Sequence, residues 1–510
     1  MGASNGGKSI LNQKSQKFFT DLTILNYSET IKGFNNELHE KIQLKVILNQ
    51  IKQNCIYQIQ LYNINYNKKN PLNQFTNCAN NSDITIYLAE SIIINYFFEK
   101  EQPLLIEITR IENDIPIMYE LRTTLGCIMG SRKNVLQKKI ADSENEILIL
   151  QAEKLKQSEE VINIKFDLKS DTYVLFNDIN NKIYYEIFSE NLLYRSECLN
   201  NEGKFENVKI PLFLFKNNII VVSFYNCKRN SIGKFKLNID EFTKGKIFNV
   251  KINDISFQII SKSKLTKNYT FVDYLKLGVQ IGLSIAIDFT GSNGNPNDIN
   301  SLHFINGEKP NQYERAIYAC GNIVAYYDYD QLFPCFGFGV KINNKPYQIF
   351  NLNLRQDPNI SYIQGIIEVY HNALQVVELY GPTLFGPIIK TINQMIKNEK
   401  NINKYHILMI LTDGKIDDID NTIDELVASS FLPLSVIIIG IGNADFSSMV
   451  ELDADGKLLI NSKGVKASRD IVQFVPFIKY ESNPELLANE VLAEIPRQMV
   501  EYYEQNEIFD

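Results

Sequence analysis

The segment Gly282–Pro296, GLSIAIDFTGSNGNP, is the most informative part of the chain. Its apolar run ends in Ile285–Ile287 and predicts a buried strand of a parallel sheet, followed by a glycine-rich turn. Asp288, Thr290 and Ser292 follow this run, each two residues after the last. A carboxylate and two hydroxyls at the end of a strand suit Mg²⁺ or Mn²⁺, which take oxygen ligands. The segment therefore predicts a metal site where α/β folds bind their ligands.

The residues around this segment alternate between strand and helix signals over about 270–510. Continuous apolar strands between helices indicate a parallel sheet covered on both faces, so we expect an α/β doubly wound domain. The predicted elements are strand Val279–Ile287, helix Tyr313–Tyr327, strand Phe336–Val340, helices Ile360–Tyr380 and Pro387–Ile396, strand His406–Leu411, helix Ile419–Ser429, strand Leu434–Ile441 and helix Pro484–Tyr503.

Two further residues complete the predicted metal site. His406–Gly414 reads HILMILTDG, so Asp413 leaves the end of a second buried strand as Asp288 leaves the first. Thr383 lies in a proline-containing turn between two predicted helices. Each motif alone also fits an ordinary turn or helix cap. In the order D-x-T-x-S, loop threonine, strand-end aspartate, they resemble the metal-ion-dependent adhesion site of von Willebrand A domains. Such a site leaves room for water and for an acidic group from a protein partner.

The first half of the chain has a different pattern. Short β-branched and aromatic runs separated by polar turns, with few helical stretches, predict antiparallel β-sandwiches over about 17–265. A joint is expected near Lys138–Asn145 and a linker at Ser261–Asn268. The predicted strands are Ile42–Leu48, Cys55–Tyr62, Ile84–Leu88, Ile92–Phe98, Leu104–Ile111, Ile147–Leu150, Val161–Phe166, Thr172–Phe176, Lys182–Phe188, Val208–Phe213, Ile219–Tyr225 and Lys234–Ile239.

Composition narrows the class of protein. A chain of 510 residues accommodates about three domains of ~100–200 residues each. The net charge of −7 gives no reason to expect nucleic-acid binding, which calls for a basic face. The 7 cysteines lack paired spacing and so favour reduced thiols in the cytoplasm. No apolar run is long enough to span a membrane, and the N-terminus has no apolar signal region.

The second half resembles the copine family over about 240 residues. The resemblance runs through several collinear segments: FVDYLKLGVQ at Phe271–Gln280, NQYERAI at Asn311–Ile317, FPCFGFG at Phe333–Gly339, YGPTLFGPI at Tyr380–Ile388, RDIVQFVPF at Arg469–Phe477 and VLAEIPRQMVEYY at Val491–Tyr503. Copines are cytosolic proteins with two C2 domains before a von Willebrand A domain. They bind phospholipid membranes in response to calcium and recruit target proteins.

The resemblance implies a multidomain chain: two antiparallel β-sandwich C2 domains followed by an α/β doubly wound von Willebrand A domain. The expected bounds are a tail at 1–16, C2 domains at 17–140 and 141–262, and the α/β domain at 263–510. It also implies a non-enzymatic, cytoplasmic adaptor at the plasma membrane or another cytosol-facing membrane. The expected partners are an anionic phospholipid surface and a protein that supplies an acidic residue to the bound Mg²⁺.

The first half departs from calcium-binding C2 domains. Such domains cluster about five carboxylates in two loops, because Ca²⁺ takes 6–8 oxygen ligands. The candidate ligands that remain are Glu112 and Asp114 in the first domain and Asp167 and Asp171 in the second. The first loop of the first domain, Leu48–Tyr57, has no acidic residue. We therefore expect the C2 fold without a dependable calcium trigger.

Three other residues bear on membrane attachment. Lys228 and Arg229 stand where the second domain would need acidic calcium ligands. In one interpretation each side chain contacts anionic lipid and contributes about 1 kcal/mol to the free energy of membrane binding. In the other, both lie in a solvated loop. Gly2 begins a partial myristoylation signal with Gly6 at the usual Ser or Thr position, or else belongs to a flexible polar tail.

Two other classes of function compete with this hypothesis. In the first alternative the C2 domains form a scaffold that binds proteins and not lipid. The small number of candidate calcium ligands in their loops favours this alternative. An enzyme that handles phosphate at the same metal is the weaker alternative. The chain has no G-x-x-x-x-G-K-[ST] loop, and Thr290 stands where an aspartyl-phosphate enzyme would need a second carboxylate.

Overall fold

The computed structural model describes residues 40–509 with short gaps. Outside the description lie 1–39, 53–54, 66–67, 79–84, 88–91, 141–145, 156–159, 170–182, 198–204, 206, 227–228, 253–254, 306, 308, 454–457 and 510. The chain forms two compact units. One consists of His39–Lys156 together with Thr270–Phe509, and the other contains Gln157–Tyr269. The first unit therefore joins two stretches of chain that are distant in sequence.

The first stretch of that unit is an antiparallel β-sandwich. One sheet has the order β4-β1-β9-β8 with β5 also paired to β1, and the other has the order β3-β2-β6-β7. Along Glu40–Asn49 alternate residues are buried, as expected when one face of a strand packs against the opposite sheet. The elements are β1 (Glu40–Asn49), β2 (Ile56–Asn65), β3 (Lys68–Cys78), β4 (Thr85–Tyr87), β5 (Ile92–Tyr96), β6 (Pro103–Glu112), β7 (Ile115–Thr124), helix α1 (Leu125–Met129), β8 (Val135–Lys139) and β9 (Ile147–Lys154).

The sandwich extends beyond the predicted boundary at residue 140. Strand β9 runs antiparallel to β1, with Lys154 opposite Ile42 at one end and Ile147 opposite Asn49 at the other. Strand β9 also pairs with β8. The predicted joint at Lys138–Asn145 therefore begins inside β8 and falls between two paired strands of one sheet. A polar segment within a domain and a polar linker between domains have the same composition, so the pattern alone could not separate them.

The second unit contains the other antiparallel sandwich. Its sheets have the orders β14-β10-β19, β11-β18-β17 and β13-β12-β15-β16. Ser261–Asn268, predicted as a linker, includes a strand that pairs with Glu160–Ile164. The elements are β10 (Glu160–Ile164), β11 (Phe166–Lys169), β12 (Ile183–Phe188), β13 (Leu192–Arg195), β14 (Val208–Pro211), β15 (Ile219–Asn226), β16 (Ser231–Asn238), α2 (Ile239–Thr243), β17 (Ile247–Ile252), β18 (Ile255–Ser261) and β19 (Lys264–Lys267). The predicted strand Thr172–Phe176 lies outside the described residues.

The α/β domain completes the first unit. Its sheet has the order β22-β21-β20-β25-β26-β27, with β23 and β24 also paired to β21. Strands β21, β20, β25, β26 and β27 run parallel. The elements are α3 (Phe271–Lys276), β20 (Gln280–Asp288), α4 (Gln312–Ala325), β21 (Leu332–Ile342), β22 (Lys345–Asn351), β23 (Asn359–Ser361), α5 (Tyr362–Val376), β24 (Glu378–Leu379), α6 (Gly386–Asn398), β25 (Lys404–Thr412), α7 (Ile419–Ser429), β26 (Leu434–Gly440), α8 (Ser447–Leu452), β27 (Val472–Pro476), α9 (Pro484–Leu492) and α10 (Ile495–Gln505).

This architecture confirms the predicted fold class of antiparallel β-sandwiches followed by a doubly wound α/β domain. The predicted helix Ile360–Tyr380 is shorter, because its ends belong to strands β23 and β24. The long predicted helix Pro484–Tyr503 is two helices, α9 and α10. The break comes just before Pro496, which has no N–H to donate and whose ring would clash with the preceding helical turn.

The first sandwich and the α/β domain are in direct contact. The hydroxyls of Tyr96 and Tyr327 are buried and 2.6 Å apart. The Lys154 ammonium lies 3.0 Å from the Asp273 carboxylate. Gly130 lies so close to Tyr326 that an added Cβ would be 1.9 Å from the Tyr326 carbonyl oxygen. The two domains therefore pack backbone against backbone at this point, and a side chain at position 130 has no room.

We predict that Gly130→Ala lowers the free energy of unfolding by about 2 kcal/mol or more, because the methyl group would overlap a main-chain carbonyl. Differential scanning calorimetry of the full chain measures the effect. Gly307→Ala is the matched control, since a Cβ there meets no atom within 4 Å. Equal stability of the two variants would contradict the contact.

Candidate functional site

The predicted metal residues lie at the edge formed by the carboxyl ends of β20 and β25. These parallel strands are neighbours, and Ile287 pairs with Leu411. Asp288 is the last residue of β20, and Asp413 directly follows β25. The chain continues from β20 to β21 on one side and later returns to β25 on the other. This reversal of strand order creates the crevice in which open α/β sheets bind ligands.

A chain of short contacts joins four of the five predicted ligands. Asp288 Oδ1 accepts the backbone N–H of Thr290 at 2.8 Å and its hydroxyl at 2.6 Å. The hydroxyl oxygens of Thr290 and Ser292 are 2.9 Å apart. Ser292 Oγ lies 2.9 Å from Asp413 Oδ1. Two loops that are far apart in sequence thus bring two carboxylates and two hydroxyls together.

The loop that carries Thr383 lies between these two loops. On one side the Tyr380 carbonyl accepts the N–H of Gly291 at 2.9 Å, beside Thr290. On the other side the Thr383 carbonyl accepts the N–H of Asp417 at 2.9 Å, a few residues after Asp413. The fold therefore places Thr383 at the same edge as the other four residues. Its role as a ligand stays a prediction.

The protonation of this cluster is unusual. Three oxygen-to-oxygen contacts join Asp288, Thr290, Ser292 and Asp413, but the two hydroxyls have only two hydrogens for them. If both carboxylates are ionised, one of the three contacts therefore has no hydrogen. Burial raises the pKa of Asp288, and burial together with the nearby Asp288 carboxylate raises the pKa of Asp413 to about 7.

A divalent cation would relieve this unfavourable arrangement. It would neutralise the two buried carboxylates and attract the hydroxyl lone pairs without needing a hydrogen between them. The donors are all oxygens, which suits Mg²⁺ or Mn²⁺. In the described part of the chain no three His, Cys, Asp or Glu side chains cluster as metal ligands. The residues present thus fit a cation held by carboxylates and hydroxyls together.

Two supporting residues were missed from the sequence. Thr412 donates its hydroxyl to Asp288 Oδ2 at 2.6 Å, and both side chains are fully buried. Thr412 directly precedes Asp413 in HILMILTDG, so its place at the same strand end could have been predicted from the sequence. His303 lies 2.9 Å through Nε2 from the Asp288 carbonyl and 2.7 Å through Nδ1 from the Tyr370 hydroxyl. No spacing rule links His303 to β20, so only the fold could reveal it.

One of the two candidate calcium ligands of the first sandwich, Glu112, lies beside cations of the protein itself. Glu112 forms an ion pair with Lys52 from the loop between β1 and β2. The hydrogen bond from Lys52 lowers the pKa of Glu112. The neighbouring buried Glu146 pairs with Arg110 at 2.6 Å. Asp114 is exposed in the turn between β6 and β7. The structure therefore places Lys52 and Arg110 beside Glu112, and the role of Glu112 and Asp114 as calcium ligands stays a prediction.

In the second sandwich, too, a candidate calcium ligand pairs with a cation of the protein. Asp167 forms an ion pair with Lys262. Arg229 is exposed, and its backbone has a positive φ of 64°. Asp171 and Lys228 lie outside the described residues, and so does the predicted lipidation site Gly2. Their proposed roles stay predictions.

No helix in the described portion of the chain combines the length and the apolar character that crossing a bilayer requires.

Comparison with known proteins supports the sequence analysis over the C-terminal part. The family model described as Copine matches residues 301–510. The resemblance to copines is therefore confirmed there. The matched span includes Thr383 and Asp413 and begins after Asp288, Thr290 and Ser292.

Solved structures resemble parts of the chain at low identity. The two C2 domains of Extended-Synaptotagmin 2 share 10% identity, covering 45% of this chain and 92% of that one, with a TM-score of 0.17. The SpRpn10 VWA domain shares 15% identity, covering 42% and 96%, with a TM-score of 0.28. Proximal thread matrix protein 1 from the mussel byssus, with a zinc-occupied MIDAS motif, shares 15% identity, covering 41% and 48%, with a TM-score of 0.25. Each of these similarities covers less than half of this chain.

We predict that Thr412→Val lowers the free energy of unfolding by about 1–3 kcal/mol, because it removes a hydrogen bond to a fully buried carboxylate. Chemical denaturation in the presence of chelator measures this loss. Thr412→Ser is the control, since it keeps the hydroxyl and should retain most of the stability. A valine variant as stable as the wild type would show that Thr412 does not support Asp288.

Proposed function

We propose that the chain is a non-enzymatic, membrane-peripheral adaptor that captures a protein partner through a divalent metal ion. The main support is the row of contacts from Asp288 through Thr290 and Ser292 to Asp413. When both carboxylates are ionised, one of these three oxygen-to-oxygen contacts has no hydrogen between its atoms. Mg²⁺ or Mn²⁺ would be held there by these four residues and Thr383. A carboxylate from the partner would complete the coordination of the metal.

The histidine beside the proposed metal site, His303, favours binding over catalysis. His303, which contacts the Asp288 carbonyl, has a pKa lowered to about 3 by burial and is therefore neutral. Its Nε2–H donates to that carbonyl, and its Nδ1 accepts the Tyr370 hydroxyl. Both ring nitrogens are thus occupied, so His303 has no free position from which to take a proton from a substrate.

We expect Asp288→Ala to abolish Mg²⁺ binding and Mg²⁺-dependent capture of protein partners, since it removes one of the two carboxylates that would neutralise the ion. Isothermal titration with Mg²⁺ measures binding. Immobilised full-length protein, incubated with cytosolic extract in Mg²⁺ or in chelator, measures capture. Asp357→Ala removes an exposed carboxylate of the same domain and should leave both unchanged. Undiminished capture by the Asp288 variant would refute the proposal.

Attachment of the protein to a membrane would require no calcium. Lys52 and Arg110 already pair with Glu112 and Glu146 in the first sandwich, and Lys262 pairs with Asp167 in the second. Ca²⁺ would have to displace these cations before it could bind. Weak electrostatic attachment through basic residues such as Arg229, together with a lipid chain on Gly2, would then hold the protein at an anionic surface.

We expect the unmodified protein to co-sediment equally with anionic phosphatidylserine vesicles in excess Ca²⁺ and in chelator, and to be released by high salt because the attraction is electrostatic. Neutral phosphatidylcholine vesicles are the control. Binding only in Ca²⁺ would show that the ion pairs give way to the metal and would refute calcium independence.

The same ion pairs also favour a second function, a scaffold in which the two sandwiches bind proteins. Failure to bind vesicles in either condition, with both unmodified and myristoylated protein, would select this scaffold. Binding by the myristoylated sample alone would assign attachment to the lipid chain on Gly2.

A further inference from the structure

Two adjacent acidic residues connect the loop after Asp413 to the segment that carries Thr383. Asp417 and Asp418 lie just before helix α7, and their carboxylates accept backbone N–H groups from the turn before helix α6. The sequence offered no sign of this connection, because acidic residues before a helix ordinarily cap that helix. Here both bind the start of a different helix, and Asp418 also accepts the Thr422 hydroxyl within α7 at 3.1 Å.

Asp417 contacts Thr383 at two points. Its Oδ2 accepts the Thr383 N–H at 2.9 Å. Its own N–H donates to the Thr383 carbonyl at 2.9 Å. These bonds restrain the peptide groups on both sides of Thr383, and therefore the direction of its side chain. Thr383 is only 7% exposed, whereas Asp417 is exposed.

Asp418 holds the next residues and has a different role. Its carboxylate accepts the N–H groups of Phe385 at 2.9 Å and Gly386 at 3.0 Å. Gly386 has no room for a side chain, since a Cβ there would lie 1.8 Å from Asn421 Nδ2. Asp418 thus anchors the first turn of α6 to α7, which serves the fold.

We propose that Asp417 is a positioning residue of the metal site, which aims Thr383 at the ion without binding the ion itself. This inference rests on the proposed function. Residues that orient metal ligands commonly change metal affinity by 10–100-fold when they are removed. Because Asp417 lies on the same loop as Asp413, it also fixes the Thr383 segment relative to that carboxylate.

Titration of the full-length protein with Mg²⁺ tests the proposal. Asp417→Ala is expected to weaken Mg²⁺ affinity about 10-fold or more. Asp417→Asn should remain close to wild type, because an amide oxygen accepts the Thr383 N–H without carrying a charge. Asp420→Ala removes an exposed negative charge three residues away and should have little effect. Equal losses in the Asn and Ala variants would show that Asp417 acts through its charge and would overturn the proposal.

Hydrogen exchange without metal gives an independent measurement. The peptide that contains Thr383 should be protected in the wild type and in Asp417→Asn, and should exchange faster in Asp417→Ala. If the wild type binds no Mg²⁺, the proposed function fails, and positioning at a metal site fails with it. If the wild type binds Mg²⁺ and Asp417→Ala binds it equally well, only the positioning inference is overturned. Melting temperatures of all variants identify any loss of binding that comes from misfolding.

Discussion

The close approach of two buried carboxylates, Asp288 and Asp413, is the constraint on which the α/β domain depends. Burial disfavours the ionised form of both residues and raises both pKa values, and the charge of Asp288 raises the pKa of Asp413 further. The structure offsets part of this effect with hydroxyls from Thr290, Ser292 and Thr412. The parallel pairing of β20 with β25 brings the two strand ends side by side, and with them the two carboxylates. A divalent cation is the species that would turn this repulsion into attraction.

Local pattern was enough to predict the elements that position this cluster. The apolar run before Asp288 is β20, and helix α7 has the predicted bounds Ile419–Ser429, because both signals are carried by neighbouring residues. Strand β3, Lys68–Cys78, was not predicted. Its sequence is polar, and Pro71 lies where the pairing with β2 shifts register, so the strand depends on its partner and not on its own periodicity. The contacts of His303 and Asp417 were equally invisible, since they join residues that only the tertiary fold brings together.

The first sandwich holds cations of its own beside buried and half-buried carboxylates. Lys52 and Arg110 supply positive charge to Glu112 and Glu146 as permanent parts of the chain. Tyr57 adds a hydroxyl to Glu146, so this end of the first sandwich has a fixed hydrogen-bonded network. A side-chain cation cannot leave as an ion does. The network therefore balances the charges of Glu112 and Glu146 from within the chain.

The joining of His39–Lys156 with Thr270–Phe509 in one compact unit has a consequence for biosynthesis. The 113 residues from Gln157 to Tyr269 (269 − 157 + 1) must leave the ribosome before the α/β domain begins to appear. At ~5–20 residues per second this interval lasts roughly 6–23 s. During it the surface around Tyr96 and Gly130 has been synthesised and its partner around Tyr326 and Tyr327 has not. The nascent chain thus carries an unpaired docking face throughout this interval, when it is most open to chaperones and to misassembly.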